Sequence, residues 1–336
     1  MDNQTHIHYH FDAQSAKPKP PKLPKLFVAV NINPYSQLNT IKYSVDGNNW
    51  SNIISGGFDD NYGLGIAYGK NTWVAVGCSI NSNNSIQYSR NGSNWNSSIT
   101  GGFDGKVGSG IAYGNNMWVS VGASSSSNNS IQYSSNGSNW NSSITGGFID
   151  NYNCGISYGS TIWVAYGSST NSNNSIQYST TGSNWNSSIT GGFYNDVYSI
   201  AYGKNMWIAI GSNDVGGGST IKTSGNGSNW SNAITNLGNV GEHSKIIYGK
   251  NNWLLFNSEQ NLSSIIKYST DGSNWIPSYI GLVKKPTSIS YASMVINNKL
   301  SNRWIAYHPL ITQYSINGTT WYHNMTDKIF SESVHN

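Results

Sequence analysis

Charged side chains are scarce in this sequence of 336 residues: Asp, Glu, Lys and Arg together make up 10% of it. Arginine occurs only as Arg90 and Arg303, and the lysines cluster only near the N-terminus. Proteins that bind nucleic acids present basic stripes that neutralise phosphates. The composition therefore argues against a nucleic-acid partner.

Cysteine and long apolar runs are also lacking. The two cysteines, Cys78 and Cys154, lie in different repeats, so disulfides are not the framework of the fold. No run of 18 apolar residues and no N-terminal signal peptide are present. We therefore expect a soluble protein without membrane insertion, synthesised in the cytoplasm, with later release or incorporation into a particle left open. No motif for a cofactor is found, and we expect none.

Glycine, asparagine, serine and aromatic residues are abundant instead, and they occur in a repeat. The phrase Ser-x-[Asp/Asn/Thr]-Gly-x-x-Trp occurs seven times, ending at Trp50, Trp95, Trp140, Trp185, Trp230, Trp275 and Trp321. Successive gaps are 45, 45, 45, 45, 45 and 46 residues. Two further phrases, Trp-x-Ala-x-Gly and Ile-Ala-Tyr-Gly, recur upstream with the same period. Such a period indicates one supersecondary unit per repeat.

Each period predicts four short strands, A to D. Strand A is Ile-Ala-Tyr-Gly, strand B is Trp-Val-Ala-Val-Gly, strand C is Ser-Ile-Gln-Tyr-Ser, and strand D begins at the second Trp. A tight Gly-Lys-Asn turn joins A to B, and the Asn-Gly turn between C and D is a strong hairpin signal. The fold class predicted for residues 26–336 is all-β, a seven-bladed β-propeller with four antiparallel strands per blade.

Closure of the ring requires one additional strand, because Ile-Ala-Tyr-Gly occurs six times and the first copy begins with strand B at Leu26–Val30. We predict that Lys328–Val334 supplies strand A of the first blade. Strands from both chain ends would then close the ring and remove an open sheet edge. The N-terminal segment Thr5–Phe11 is the alternative.

Two copies of the repeated phrase, residues 44–50 and 269–275, contain Asp before the Gly. They resemble the Asp-box of sialidase-type (BNR-like) repeat propellers, and the resemblance covers residues 26–336. A sialidase would need three arginines around a carboxylate, and this chain has only Arg90 and Arg303. We therefore expect no enzymatic activity, and a sialidase-like hydrolase is the third-ranked function.

The phrase itself is interpreted as structural. A short acceptor can bond the backbone N–H groups of its own turn, Gly takes the positive-φ position, and Trp packs beneath. The acceptor varies among blades, which a catalytic or metal-binding role would not tolerate: it is Asp46, Asn91, Asn136, Thr181, Asn226, Asp271 and Asn317.

Candidate ligand-binding residues lie in the loops predicted to share one face of the propeller. Four D–A loops contain Gly-Gly-Phe followed by acids and aromatics, and three B–C loops contain paired asparagines. The D–A candidates are Phe58, Asp60, Tyr62, Phe103, Asp104, Phe148, Asp150, Tyr152, Phe193, Asp196 and Tyr198, and the B–C candidates are Asn84, Asn129 and Asn174. Aromatic rings with carboxylate and amide groups suit a neutral sugar. The alternatives are that the Phe rings plug the gaps between blades, that the loops are solvated filler, or that the Asp residues hold a cation.

Residues 1–25 form a separate arm. His6, His8 and His10 lie on one face of an extended segment, spread over about 13 Å, so binding of Zn²⁺ or Ni²⁺ would need several copies. Residues 17–25 read as an extended polyproline spacer. We predict a non-catalytic, lectin-like module that binds glycan. The alternative is a structural or attachment component of a virus or phage particle or another assembly, docked or homo-oligomerised through residues 1–25.

Overall fold

The computed structural model describes residues 5–6, 26–31, 40–44, 50–60, 62–105, 107–148, 154–168, 172–194, 196–213, 218–235, 241, 244–257, 265–286, 288–296, 299–308 and 311–322. Within these ranges the regular structure consists of β-strands and short 3-10 turns, with no α-helix. Abundant β-branched and aromatic residues, separated by Gly and Asn turns, favour this outcome.

The strands form seven antiparallel sheets, each built from consecutive strands of one repeat. The first blade comprises β1 (Thr5–His6), β2 (Phe27–Asn31), β3 (Ile41–Ser44) and β4 (Ser51–Asn52); the second β5 (Tyr62–Gly69), β6 (Thr72–Cys78), β7 (Ile86–Ser89) and β8 (Asn96–Ser97); the third β9 (Gly108–Gly114), β10 (Met117–Gly122), β11 (Ile131–Ser134) and β12 (Asn141–Ser142); the fourth β13 (Gly155–Gly159), β14 (Ile162–Tyr166), β15 (Ile176–Ser179) and β16 (Asn186–Ser187).

The remaining blades follow the same order. The fifth comprises β17 (Val197–Gly203), β18 (Met206–Asn213), β19 (Gly218–Ser224) and β20 (Ser231–Thr235); the sixth β21 (Ser244–Gly249), β22 (Asn252–Asn257), β23 (Ile266–Ser269) and β24 (Ile276–Pro277); the seventh β25 (Ser288–Ile296), β26 (Lys299–His308) and β27 (Ile311–Ser315). In the seventh, an isolated bridge between Tyr314 and Tyr322 stands where strand D would begin. The fold is a seven-bladed β-propeller, as predicted.

The inner strand of the first blade comes from the N-terminal arm. Strand β1 pairs with β2 in the register Thr5 to Asn31 and His6 to Val30. The assignment of this position to Lys328–Val334 is therefore corrected in favour of the alternative, since the place beside β2 is occupied by residues near the start of the chain. Residues 328–334 themselves lie outside the described residues.

The hydrophobic core lies between blades rather than within one sheet. At the junction of the second and third blades, Val74 and Ile86 pack with Trp118 and Trp140, all nearly inaccessible to solvent. The strand B Trp also contacts the strand A Tyr of its own blade, as in Tyr113 and Trp118, whose ring centroids are 4.6 Å apart. Comparable clusters occupy the other five junctions from the first blade to the seventh. Burial of these side chains makes each blade depend on its neighbours.

The A–B and C–D turns share one face of the ring. The predicted A–B turn is confirmed: Lys70 and Asn71 both have positive φ, 44° and 57°, as a two-residue type I′ hairpin requires. Lys70 Nζ donates to Ser135 O in the C–D turn of the following blade at 3.2 Å. The D–A and B–C loops therefore occupy the other face, which carries most of the candidate ligand-binding residues.

Candidate functional site

The repeated phrase Ser-x-[Asp/Asn/Thr]-Gly-x-x-Trp forms a self-contained turn. In the second blade Asn91 Oδ1 accepts the backbone N–H groups of Ser93 and Asn94 at 3.1 and 2.9 Å. Trp95 Nε1 donates to Gly92 O at 2.9 Å, so the indole lies beneath its own turn and is 3% exposed. Gly92 has a φ of 74°. The structural interpretation of the phrase is confirmed, because its polar atoms are used inside the turn.

This turn also joins neighbouring blades through the backbone. Ile54 N donates to Ser93 O at 2.8 Å, and Trp95 N donates to Ser55 O at 3.0 Å. The segment after strand D of the first blade thus makes a parallel bridge to the turn of the second. Equivalent bridges between Thr100 and Asn139, Thr190 and Asn229, and Ile280 and Thr320 join later blades. Hydrogen bonds therefore fix the spacing of blades at the outer edge.

A buried glutamine makes a second connection, which we call the inter-blade clamp. Gly57 N donates to Gln87 Oε1 at 2.8 Å, and Gln87 Nε2 donates back to Gly57 O. One primary amide thereby pairs with both polar groups of one backbone residue, as a β-ladder does. The clamp recurs between Gly102 and Gln132 and between Gly147 and Gln177. Sequence reasoning missed these glutamines, although each lies 30 residues after its glycine.

The phenylalanines of Gly-Gly-Phe are parts of the same junction. Phe58, Phe103 and Phe193 are 0% exposed and Phe148 is 4% exposed. A Cβ placed on Gly77 of the second blade would lie 2.8 Å from the Phe58 ring, so the ring fills space that only Gly leaves. The prediction that these four rings contact ligand is therefore corrected. They are inter-blade plugs, the alternative interpretation, because all four rings are buried.

The carboxylate that follows the first Phe ties the D–A loop to the B–C loop of the next blade. Asp59 Oδ1 accepts Ser79 Oγ and, at 2.8 Å, the backbone N–H of Ile80. Burial alone would raise the pKa of Asp59, but hydrogen bonds from Ser79, Ile80 and Asn84 outweigh it and hold the pKa below its ordinary value. This acid is part of the loop structure.

Asparagine residues of the B–C loops extend this network. Asn84 Oδ1 accepts Gln87 Nε2 at 3.1 Å and Ser97 Oγ at 2.6 Å, which connects Asp59 to the clamp. Asn129 Oδ1 accepts Gln132 Nε2 at 3.0 Å in the third blade. Asn174, exposed in the fourth, accepts Ser187 Oγ. These three side chains therefore position loops, and their predicted role in ligand binding has no support from the contacts.

Asp104 repeats the arrangement of Asp59 one blade later. Ser125 Oγ donates to Asp104 Oδ2 at 2.7 Å and Ser125 N donates to Oδ1 at 3.3 Å. Burial would raise the pKa of Asp104, but hydrogen bonds from Ser124, Ser125 and Asn129 outweigh it and lower the pKa. Asp196 accepts Ser168 Oγ. Both carboxylates remain partly exposed, yet each already has partners within the protein.

Asp60 and Tyr62 differ from the other candidates. Both are exposed, Tyr62 at 38%, and in the described part of the chain their side chains enter no hydrogen bond. Asp60 lies close enough to Cys78 to act on its thiol: burial first, and then the Asp60 charge, raise the pKa of Cys78 to about 11. The start of β5 therefore presents an exposed carboxylate and an exposed phenol ring.

The structure places none of the remaining described candidates beside Asp60 and Tyr62. Tyr198 is half-buried and packs against the core between the fifth and sixth blades. Asp150 and Tyr152 lie outside the described residues, as do His8 and His10. His6 is described as part of strand β1. The described part of the chain contains no group of three His, Cys, Asp or Glu side chains suited to a metal ion.

The two arginines lie in different blades. Arg90 is exposed in the C–D turn of the second blade. Arg303 lies on β26 of the seventh, is 6% exposed and donates to Asn302 O at 3.1 Å. Burial lowers the pKa of Arg303, and Tyr291 nearby partly offsets this. They do not form a shared carboxylate-binding pair.

The fifth blade lacks the glutamine of the inter-blade clamp. The sequence shows this replacement, but sequence reasoning missed it. Lys222 replaces Gln, and its Nζ donates to Gly192 O at 2.6 Å. Nζ also lies 4.7 Å from the centroid of the Phe193 ring. Burial lowers the pKa of Lys222. A cation–π contact and one hydrogen bond therefore replace the two-way amide pairing.

A second repeated feature, also missed, is a row of exposed isoleucines on the outer rim. Each follows strand D, and its backbone N–H donates to the Ser-x-[Asp/Asn/Thr]-Gly-x-x-Trp turn of the next blade. The members are Ile54, Ile99, Ile144 and Ile189, which are 59–67% exposed. We call this set the rim isoleucines.

Comparison with known proteins assigns no family to this chain. No family model matches the sequence, and no curated protein matches it. Among solved structures, the crystal structure of the computationally designed Ika8 protein is similar over 90% of this chain and 94% of that chain. The sequence identity is 11% and the TM-score 0.49, so the likeness carries no functional argument. No helix among the described residues has the length and apolar character needed to cross a membrane.

Proposed function

We propose that this protein is a non-catalytic binding module of Asp-box type. The Asp-box assignment is supported by the turn geometry, in which Asn91 caps the backbone and Trp95 lies beneath it. The non-catalytic assignment is supported by the use of the recurring polar groups within blade junctions. Arg90 and Arg303 also lie apart in separate blades.

The ligand class we assign is carbohydrate, bound at the start of β5 by Asp60 and Tyr62. The observation that carries this assignment is that both side chains are exposed while the neighbouring acid, Asp59, is fixed by Ser79 and Ile80. A phenol ring stacks on the apolar C–H face of a sugar, and a free carboxylate accepts its hydroxyls. The fixed loop beneath lowers the entropic cost of binding.

A glycan array with the full chain tests this proposal. Asp60→Asn and Tyr62→Ala are expected to abolish selective binding, because each removes one of the two ligand contacts. Asp271→Asn is the matched control: it makes the same change of charge on an exposed side chain of the opposite face, and Asn occupies the equivalent position in other blades. Absence of binding to every glycan, or equal binding by all four proteins, would overturn the carbohydrate assignment.

The second candidate is a structural component of an assembly, and the rim isoleucines favour it. Four large apolar side chains at equivalent positions are exposed, and association buries side chains of this kind. Ile99→Ser with Ile144→Ser should abolish concentration-dependent association in sedimentation velocity. Ile276→Ser, on an exposed residue outside the set, is the control. A full chain that sediments as a monomer at every concentration would contradict this candidate.

A further inference from the structure

The junction between the sixth and seventh blades shifts the inter-blade plug by one residue. Earlier junctions place the second glycine of Gly-Gly-Phe in the clamp and the Phe in the core. Counted from the tryptophan of the repeated phrase, Leu282 stands at the position of that glycine and Val283 at the position of the Phe. Leu282 is 7% exposed and packs in the core cluster that contains Trp304 and Trp321. Leu282 therefore serves as the plug, and Val283 is exposed.

The inter-blade clamp moves with the plug. Gln313 Oε1 accepts the Val283 N–H at 2.7 Å, and Gln313 Nε2 donates to Lys284 O at 2.9 Å. Gln313 lies on β27 and is fully buried. A buried amide that bonds both a backbone donor and a backbone acceptor holds the chain in one conformation. The exposed side chains of Val283 and Lys284 therefore stand on a fixed backbone.

Apolar side chains project from the turn that precedes this clamp. Leu282 N donates to Tyr279 O at 3.0 Å, and Gly281 has a φ of 83°, as the third position of a type II turn requires. Ile280 occupies the second position. The positions of Ile280 and Ile276 hold Thr and Asn in the second, third and fourth blades. We call the exposed apolar set the turn patch; its members are Ile276, Tyr279, Ile280 and Val283, which are 46–63% exposed.

The turn patch is followed directly by positive charge. Lys284 and Lys285 are both exposed. Lys284 stands where the second blade has Asp104, so the sign of the charge is reversed. From residue 272 to residue 326 the sequence contains four Lys or Arg residues and no Asp or Glu. The charge of this part of the chain therefore favours an anionic partner.

The edge of the sixth blade is a poor place for a strand of another protein. β24 is the outer strand of this sheet and contains Pro277. Ser278 N donates to Ile266 O of β23 at 2.7 Å, and the N–H groups of successive strand residues point to opposite sides. The nitrogen of Pro277 therefore faces away from the sheet, where proline offers no donor to an added strand. Contact at this edge is left to the side chains.

We propose that residues 276–285 dock on the surface of an anionic lipid bilayer. Aliphatic side chains that project from a turn need no matching pocket there, because they enter the boundary between head groups and acyl chains. The Tyr279 ring suits the same boundary, and the two lysines reach the phosphates of the head groups. This contact is peripheral and involves no membrane-spanning segment. It does not depend on the carbohydrate assignment, which rests on the second blade.

Vesicle flotation with the full chain tests the docking. One set of vesicles is an equal mixture of phosphatidylserine and phosphatidylcholine, and the other is phosphatidylcholine alone. We expect binding to the mixed vesicles that weakens as salt is added, and little binding to the others. Lys284→Gln with Lys285→Gln should weaken binding about 30-fold, at about fivefold for each lysine. Ile280→Ser with Val283→Ser should weaken it about tenfold or more.

Matched variants elsewhere on the ring serve as controls. Ile189→Ser changes a rim isoleucine of similar exposure, and Lys70→Gln with Lys250→Gln removes two exposed charges from the opposite face. Both should bind the mixed vesicles as the unmodified chain does, and all variants should keep its melting temperature. Failure of the unmodified chain to float would overturn the proposal. Equal binding to both kinds of vesicle, or equal losses in the control variants, would overturn it as well.

Discussion

The inter-blade clamp predicts how much the third blade depends on Gln132. This side chain is 0% exposed, donates to Gly102 O at 2.7 Å and accepts Gly102 N–H at 2.9 Å. Gln132→Met keeps the length of the side chain and removes both polar groups. Two buried backbone groups would lose their partners, at about 1–3 kcal/mol each. We expect the free energy of unfolding to fall by about 2–6 kcal/mol.

A graded variant separates hydrogen bonding from packing. Gln132→Lys copies the fifth blade, where Lys222 donates to the carbonyl and lies over a Phe ring. The lysine restores a partner for Gly102 O but offers no acceptor for Gly102 N–H. We therefore expect the loss to be about half as large, about 1–3 kcal/mol.

Urea unfolding followed by Trp fluorescence measures these losses, and hydrogen exchange at the Gly102 amide localises them. Ser135→Ala, an exposed change in the neighbouring turn, is the control and should alter stability by less than about 0.5 kcal/mol. A loss below about 1 kcal/mol for Gln132→Met would refute the reasoning. So would a Lys variant that is no more stable than the Met variant.

Three further predictions concern other parts of the ring. Gly102→Ala, at a φ of 95° with a backbone oxygen 2.1 Å from the new Cβ, should lower the melting temperature strongly, whereas Gly225→Ala, with no atom within 4 Å, should leave it nearly unchanged. Backbone hydrogen bonds, foremost from Asn274, hold the pKa of Asp271 well below its ordinary 3.8. Ionised Asp271 therefore stabilises the fold fully above pH 3.8, and this stabilisation is lost as the pH falls below that value. The free energies of unfolding of Asp271→Asn and of the unmodified chain, measured by urea titration, should converge in acid and differ at neutral pH. Burial raises the pKa of Cys154 to about 12, so a thiol reagent at pH 8 should modify it only after unfolding; labelling of the native protein at that residue would contradict this.

The blades were predictable because their signals are local. The repeated phrase contains its own acceptor, glycine and tryptophan, and all of its internal hydrogen bonds lie within a few residues, as in Asn91 to Trp95. The A–B hairpins are equally local. Such turns constrain the chain irrespective of the rest of the fold.

The roles of the loop residues were not predictable, because they depend on groups distant in sequence. Phe58 and Asp104 were predicted to contact ligand, but each meets a group about 20 residues later in the next blade. The Phe58 ring packs against Gly77, and Asp104 accepts Ser125 Oγ. A repeated binding residue and a repeated junction residue leave the same pattern in a sequence.

The source of the first inner strand was uncertain for a related reason. The arm and the C-terminal segment both offered an extended sequence, and neither carries the Ile-Ala-Tyr-Gly phrase. Pairing of a short strand is set by its neighbour's free edge more than by its own residues. Sequence pattern therefore identified the vacant place beside Phe27–Asn31 but not which end of the chain occupies it.

The division of each core between two blades bears on how such a chain lengthens or shortens. The second, third and fourth repeats each carry one half of a junction at their end, the Gly-Gly-Phe, and the clamp Gln of the complementary half in their middle. Duplication or loss of a 45-residue block within these repeats restores matching halves on both sides of the splice. Genetic recombination within this gene can therefore change the number of blades while each new junction forms with the partners it already has.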